Sequence, residues 1–284
     1  MPAVRFPAVA GAFYESNPQR LKASMEECFL HRLGPGHLPA PSEEGPRRIL
    51  GLICPHAGFQ FSGPSAACAY AALAADGKPK TVVLLGTNHR LAGLPAAFDT
   101  AECWATPLGR IPVDVGLRDA LRSCKLLEED DVAHEYEHSI EVQLPWLQFL
   151  YGDTVPIYPV SLGHLGHHAM HSLAEALAEA LFSRDAVIIA TTDFSHYLPE
   201  DSAEMLDRAA LQQILALDPD AFLAVVKEKG ITMCGVAPVA IMLAACRRLG
   251  ASQGRLLSHY TSGDVAGDRD AVVGYASVAV EREN

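Results

Sequence analysis

Positive charge is scarce in this chain: 22 Lys and Arg stand against 34 Asp and Glu, a formal charge of −12 over 284 residues. A field of that sign repels phosphate backbones and anionic headgroups, so neither nucleic acid nor a membrane surface is an expected partner. Also missing is any apolar run approaching the roughly 20 residues that cross a bilayer. The opening residues Met1-Pro2-Ala3-Val4-Arg5 lack a basic segment followed by an apolar stretch, which makes a cytoplasmic location the expectation. There is no CxxC pair; Cys28, Cys54, Cys68, Cys103, Cys124, Cys234 and Cys246 are odd in number and scattered. That excludes a disulfide framework and leaves most of them as small buried hydrophobes. No internal repeat is present, which removes solenoid architectures.

What is present is ordinary globular content, 49% hydrophobic and 20% charged, enough to bury a sizeable core. Asn17-Pro18 reads as an N-cap and first-turn proline opening a helix to about Phe29. The Gly-, Pro- and charge-rich segment 34–47 reads as a surface loop and the best candidate for disorder. Beyond it, short aliphatic runs at 49–54, 81–85, 155–160, 186–190, 256–259 and 272–280 alternate with helical patterns. The helices are expected at 64–75, 115–124, 139–149, 168–181, 202–217, 219–229 and 239–249. This alternation predicts an α/β fold over residues 1–284 as one domain: a three-layer sandwich with a central, largely parallel or mixed sheet flanked by helices.

Three of the runs end alike. Ile49 to Cys54 leads into Pro55-His56-Ala57-Gly58, Thr81 to Leu85 into Gly86-Thr87-Asn88-His89, and Ala186 to Ala190 into Thr191-Thr192-Asp193-Phe194-Ser195-His196. Each delivers a histidine just past the carboxyl end of a strand, the edge at which open α/β sheets bind ligands. A single such histidine is more often a loop residue; three sharing one crevice point to a site. Cys234, in Thr232-Met233-Cys234-Gly235 ahead of a helix, is the cysteine with a local reason to be a thiolate. Cys54, inside a strand covered on both faces, is expected to be protonated and inaccessible.

Two other histidine groups compete. His134-Glu135-Tyr136-Glu137-His138 matches the H-E-x-x-H pattern of zinc proteases. The acidic residues before it carry no apolar stripe, however, and Ser139 reads as a helix start, so a solvated acidic turn is the better reading. His164, His167, His168 and His171 cluster at a helix start, with His167 and His171 at i and i+4; such groups are mostly exposed polar surface. The Ser262 to Asp268 segment has two glycines without a lysine and is not a phosphate cradle.

Taken together, the segments Arg5 to Tyr14, Pro55 to Gly58, Leu85 to His89, Glu137 to Glu141, Asp193 to His196 and Cys234-Gly235 resemble the Memo-like family, known in prokaryotes as protein B of the AmmeMemoRadiSam system. More distantly they resemble the class III extradiol dioxygenases, which share its fold. The resemblance implies His56, His89 and Cys234 as metal ligands, with His196 beside the metal as an acid/base or a further ligand. It gives His138 and Glu141 a supporting or substrate-contacting role, and a radical SAM enzyme becomes a possible partner. In the dioxygenase relatives, two histidines and a carboxylate hold ferrous iron. A thiolate in the third position is softer and itself oxidisable, which argues against ring cleavage and shifts preference toward copper or zinc. With the redox reading, one transition-metal ion is expected, iron or copper ahead of zinc.

The leading expectation is therefore a metal-dependent redox enzyme acting on a small molecule or peptide, with His196 oriented by Asp193 for proton transfer. The alternatives are a non-catalytic metal- or ligand-binding partner of a radical enzyme system and a metal-free hydrolase with Cys234 as nucleophile and His196 as base.

Overall fold

A computed structural model describes residues 3–283; Met1, Pro2 and Asn284, which the expected 1–284 domain includes, lie outside the described residues. The first half contains β1 (Val4–Arg5), α1 (Pro18–Leu30), β2 (Ile49–Cys54), α2 (Phe59–Asp76), β3 (Thr81–Thr87), β4 (Ala96–Phe98), β5 (Cys103–Thr106), β6 (Gly109–Pro112), α3 (Val115–Leu121) and β7 (Glu128–Glu129). Then follow α4 (Leu144–Tyr151), β8 (Ile157–Leu162), α5 (His167–Leu181), β9 (Ala186–Thr191), β10 (His196–Leu198) and α6 (Glu200–Leu215). The chain finishes with α7 (Pro219–Lys229), α8 (Val236–Arg248), β11 (Gln253–Thr261), α9 (Ser262–Ala266) and β12 (Val272–Glu281).

The main sheet runs β10-β12-β2-β9-β3-β8-β4-β7, with β11 also on β12. Its centre, β2-β9-β3-β8, is parallel, while β12 and β4 join it antiparallel on either side. Successive residues of a strand point to opposite faces, and the central strands are apolar on both. Val83, Leu85, Ile188 and Ala190 enter the core under α3, α5, α6, α7 and α8. Val82, Leu84, Val187 and Ile189 enter the core under α1, α2 and α4. The α/β sandwich expected from the alternation is what forms.

Local differences have local causes. Helix α2 begins at Phe59 rather than Pro64, since the N–H that Pro64 lacks would have bonded the carbonyl of Gln60, an exposed residue one turn earlier. The helix expected over 139–149 is a 3-10 turn at Glu141–Gln143 followed by α4, where Pro145 fits the first turn. Segment 34–47 has no regular structure, as expected, but it is pinned instead of free. Ser42 N–H donates to the Ala74 carbonyl at 2.9 Å, Arg47 N–H to the Asp76 carbonyl at 2.9 Å, and the Arg47 side chain pairs with Asp76 at 3.3 Å. A small separate sheet, β1-β5-β6, was not legible in the sequence pattern.

Candidate metal centre

Because β2, β9 and β3 are adjacent and parallel, their carboxyl ends share one edge, and the loops leaving them carry His56, Asp193 and His89. Two glycines let backbone close on that edge. A Cβ on Gly86 would sit 2.6 Å from Ser139 Oγ and 2.4 Å from Ile140, so only glycine lets the 139–140 segment lie against β3. A Cβ on Gly235 would meet Thr192 Cβ at 2.4 Å; that contact seats Cys234 against the end of β9.

One donor atom from each of His56, His89 and Cys234 falls within 4.8 Å of the others. His56 is buried, with Nε2 3.1 Å from Cys234 Sγ and Nδ1 2.9 Å from Thr191 Oγ1. Its main-chain N–H donates to Asp193 Oδ1 at 2.9 Å. His89 lies edge-on to His56, with ring centroids 5.0 Å apart, and its Nδ1 donates to Glu137 Oε1 at 3.0 Å. That bond fixes the tautomer and leaves Nε2 with a lone pair, the arrangement found behind metal-bound imidazoles. The thiol of Cys234 receives the Asp193 N–H at 3.1 Å.

His56 and His138 are held toward the neutral form. Burial, reinforced by the neighbouring rings of His89, His138 and His196, holds His56 well below the ordinary imidazole range. His138 stacks on His89 with centroids 4.6 Å apart, and burial pushes it down to about 4 against the pull of Glu137. Glu137 itself is held at about 2: burial raises it, but the bond from His89, the charges of His89 and His138 and the Ser139 N–H outweigh that. Its Oε1 also accepts the His138 and Ser139 N–H groups at 2.8 and 2.9 Å, and its Oε2 accepts the His89 N–H at 2.7 Å. With its lone pairs so occupied, Glu137 supports His89 rather than competing for an ion. A lone glutamate in an acidic stretch gives no sign of this; its only signal was the Glu137 to Glu141 segment itself.

Three expectations change. Cys234 is not an activated thiol: burial and the Asp193 carboxylate push it up to about 12, outweighing the helix start behind it. Asp193 does not orient His196. The turn into β10 carries that ring to Thr232, whose carbonyl accepts from Nδ1 at 2.8 Å while the Thr232 hydroxyl accepts the His196 N–H at 2.8 Å. Glu141 is fully buried, and its carboxylate is taken up by the amino-terminal arm. It pairs with Arg5 and accepts from Ala8 N–H at 2.8 Å, Val9 N–H at 3.0 Å and the Tyr14 hydroxyl at 2.7 Å. The arm in turn lays Phe13 against His138, ring centroids 4.6 Å apart.

The H-E-x-x-H residues are not on a helix. His134 follows a single 3-10 turn, is buried, donates from Nε2 to the Ala97 carbonyl at 3.0 Å and is pushed down to about 4 by burial. Cys54 is fully buried, and burial raises its thiol strongly, as its strand position implied.

The family model for Memo-like protein matches residues 5–279. The chain belongs to the Memo-like family. Among similar sequences, a MEMO1 family protein of Methanopyrus kandleri is 44% identical over 281 residues, 98% of this chain and 99% of that one. Another, of Methanothermobacter thermautotrophicus, is 44% identical over 97% of this chain and 100% of its own. An uncharacterized protein of Escherichia coli K12 shares the fold at a TM-score of 0.58 and 13% identity, covering 82% of this chain and all of that one. In this Memo-like protein the sheet edge also opens on a mostly apolar cavity of 620 Å³, with Thr87 and Cys234 on its wall and Leu162, Met170, Leu223 and Met233 among its lining. No helix among the described residues is long and apolar enough to cross a membrane.

Proposed function

We propose that this Memo-like protein is a metal-dependent redox enzyme in which one transition-metal ion, iron or copper ahead of zinc, is held by His56, His89 and Cys234. The observation that carries this reading is the convergence of three donors of which both imidazoles have Nδ1 engaged, by Thr191 and Glu137, while the Nε2 of His56 lies 3.1 Å from the thiol. A soft thiolate beside two imidazoles suits those metals better than a hard, oxygen-seeking cation. When bound, the ion supplies electron transfer or charge stabilisation at the sheet edge.

The chain's own groups divide the remaining work. Thr191 and Glu137 hold the rings, and Asp193 positions the His56 main chain and the Cys234 sulfur. His196 is the proton-handling group: its Nδ1 proton is committed to the Thr232 carbonyl, leaving Nε2 to accept a proton from a substrate or return one. The metal-free hydrolase reading required Cys234 beside His196, whereas the sulfur faces His56. Catechol ring cleavage is expected to stay at background even with ferrous iron added anaerobically.

The test is metal analysis of anaerobically purified protein with electron paramagnetic resonance through a cycle of ascorbate reduction and reoxidation in air. One ion per chain, lost in Cys234→Ser and His56→Ala, kept in His134→Ala and cycling in place, is the expected result. Full occupancy in Cys234→Ser would remove the thiolate from the ligand set. An ion that binds but does not cycle would favour metal handling over redox catalysis.

A further inference from the structure

The other histidine group of the sequence lies on α5, away from the centre just described. His167 and His171 are one turn apart, so the helix projects both rings from one side, with centroids 4.5 Å apart. Facing them is Asp220, in the first turn of α7, a helix capped by the Asp218 side chain. Nε2 of His167 and Nε2 of His171 each lie 2.8 Å from the same atom, Asp220 Oδ1. The ion pairs that Asp220 makes among the described residues are with these two rings. With no Lys or Arg paired to it, the group carries one uncompensated negative charge when the imidazoles are neutral. Three donor atoms within 4.8 Å of one another thus come from two helices, on the side of the molecule where His167 and Asp220 are largely exposed.

We propose that His167, His171 and Asp220 form a second metal site, for a borderline divalent transition-metal ion of the zinc, nickel or copper class. Two imidazoles and one carboxylate match that class, whereas magnesium and calcium ask for more oxygen ligands. Without an ion, each Nε2 carries a proton donated to Oδ1. On binding, those protons move to Nδ1 and the Nε2 lone pairs turn to the ion, with the exposed side left for water. The ion would tie α5 to the start of α7. His167 and Asp220 also line the cavity that has Cys234 on its wall, so the tie would span its outer rim. His168, exposed on the next position of α5, is outside the group and serves as a control.

The inference does not depend on the central site. Zn²⁺ is titrated calorimetrically into the metal-free full chain carrying Cys234→Ser, which removes the central thiolate, and into the wild type. In the Cys234→Ser protein, one Zn²⁺ binding event is expected; adding His171→Ala or Asp220→Asn should weaken it by about tenfold or more, and adding His168→Ala should leave it unchanged. Co²⁺ bound there should show ligand-field absorption without the sulfur charge-transfer band of a thiolate centre. Circular dichroism confirms that the variants are folded. An unchanged event in His171→Ala or Asp220→Asn, or equal weakening in His168→Ala, would overturn the site and leave only diffuse histidine binding. Should the central reading fail instead, the wild type would still show this event.

Discussion

At the sheet edge, His56, His89 and Cys234 arrive from three different loops, and each ring is gripped from behind by a further residue. On α5 and α7, His167, His171 and Asp220 arrive from two helices and are gripped only by one another. Both groups place three donors within 4.8 Å, so spacing does not separate them. What separates them is the layer behind the donors. At the sheet edge, where His56 is buried, both rings are held from behind before any ion arrives, whereas the α5–α7 set must break its own hydrogen bonds and rearrange its protons. Donor geometry therefore nominates a site, and the supporting hydrogen bonds rank it.

The sharpest way to break this ranking is a chelator challenge of protein loaded at both sites. Two supporting partners, Thr191 and Glu137, each worth roughly 10–100-fold in affinity, put the centre about a thousandfold ahead of the surface group. Metal analysis after stepwise EDTA addition should show the α5–α7 ion leaving first and the centre's ion retained. Simultaneous loss would erase the distinction. Next in size is Glu137→Gln, which keeps the shape but weakens the hold on His89 Nδ1. It should lower affinity at the centre by about 10–100-fold and leave Zn²⁺ binding at His171 untouched; competition titration reads both in one sample.

A third effect concerns stability instead of affinity and uses a buried carboxylate apart from both groups. Asp99 is buried beside Trp104, and burial pushes it up to about 7. The native state therefore keeps a proton that the unfolded chain releases near pH 4. Stability from this source is fully present below about pH 4 and is lost as pH rises to about 7, on the order of 4 kcal/mol in all. His134, pushed down to about 4, acts with the opposite sign: its stability contribution is lost as pH falls from about 6.5 towards 4. Asp99→Asn should raise stability at pH 8 relative to wild type and change little at pH 4, as read by urea denaturation at each pH. An equal gain at both would mean that the proton is not the cause.

Strand ends were the legible part of the site. The runs before His56, His89 and Asp193 announce both the sheet and the edge at which it works, because two-faced burial leaves a mark on every residue of a central strand. The partners behind the ligands leave none: Glu137 reaches His89 across 48 positions, and Thr232 reaches His196 across 36. The short strands β4, β7 and β10 were equally silent, being two or three residues long and too brief to show a period. The thiol of Cys234 misled because the helix start is a local feature, while the burial that overrides it comes from the whole fold.

The contact between His56 and Cys234 joins residues 178 positions apart. During synthesis, the first imidazole is made long before the sulfur, and the loops between them close only when α8 docks under the sheet. At the sheet edge, a nascent chain that ends before residue 234 can offer an ion the two histidines without the thiolate or the wall it supplies. Loading of the full three-donor set would accordingly be an event of the finished chain, late in folding and governed by its slow, long-range contacts. Chains stalled or truncated shortly before residue 234 would keep the strands of the parallel centre, β2, β9, β3 and β8, yet lack the sulfur, so full loading would be biased toward molecules that have completed their fold.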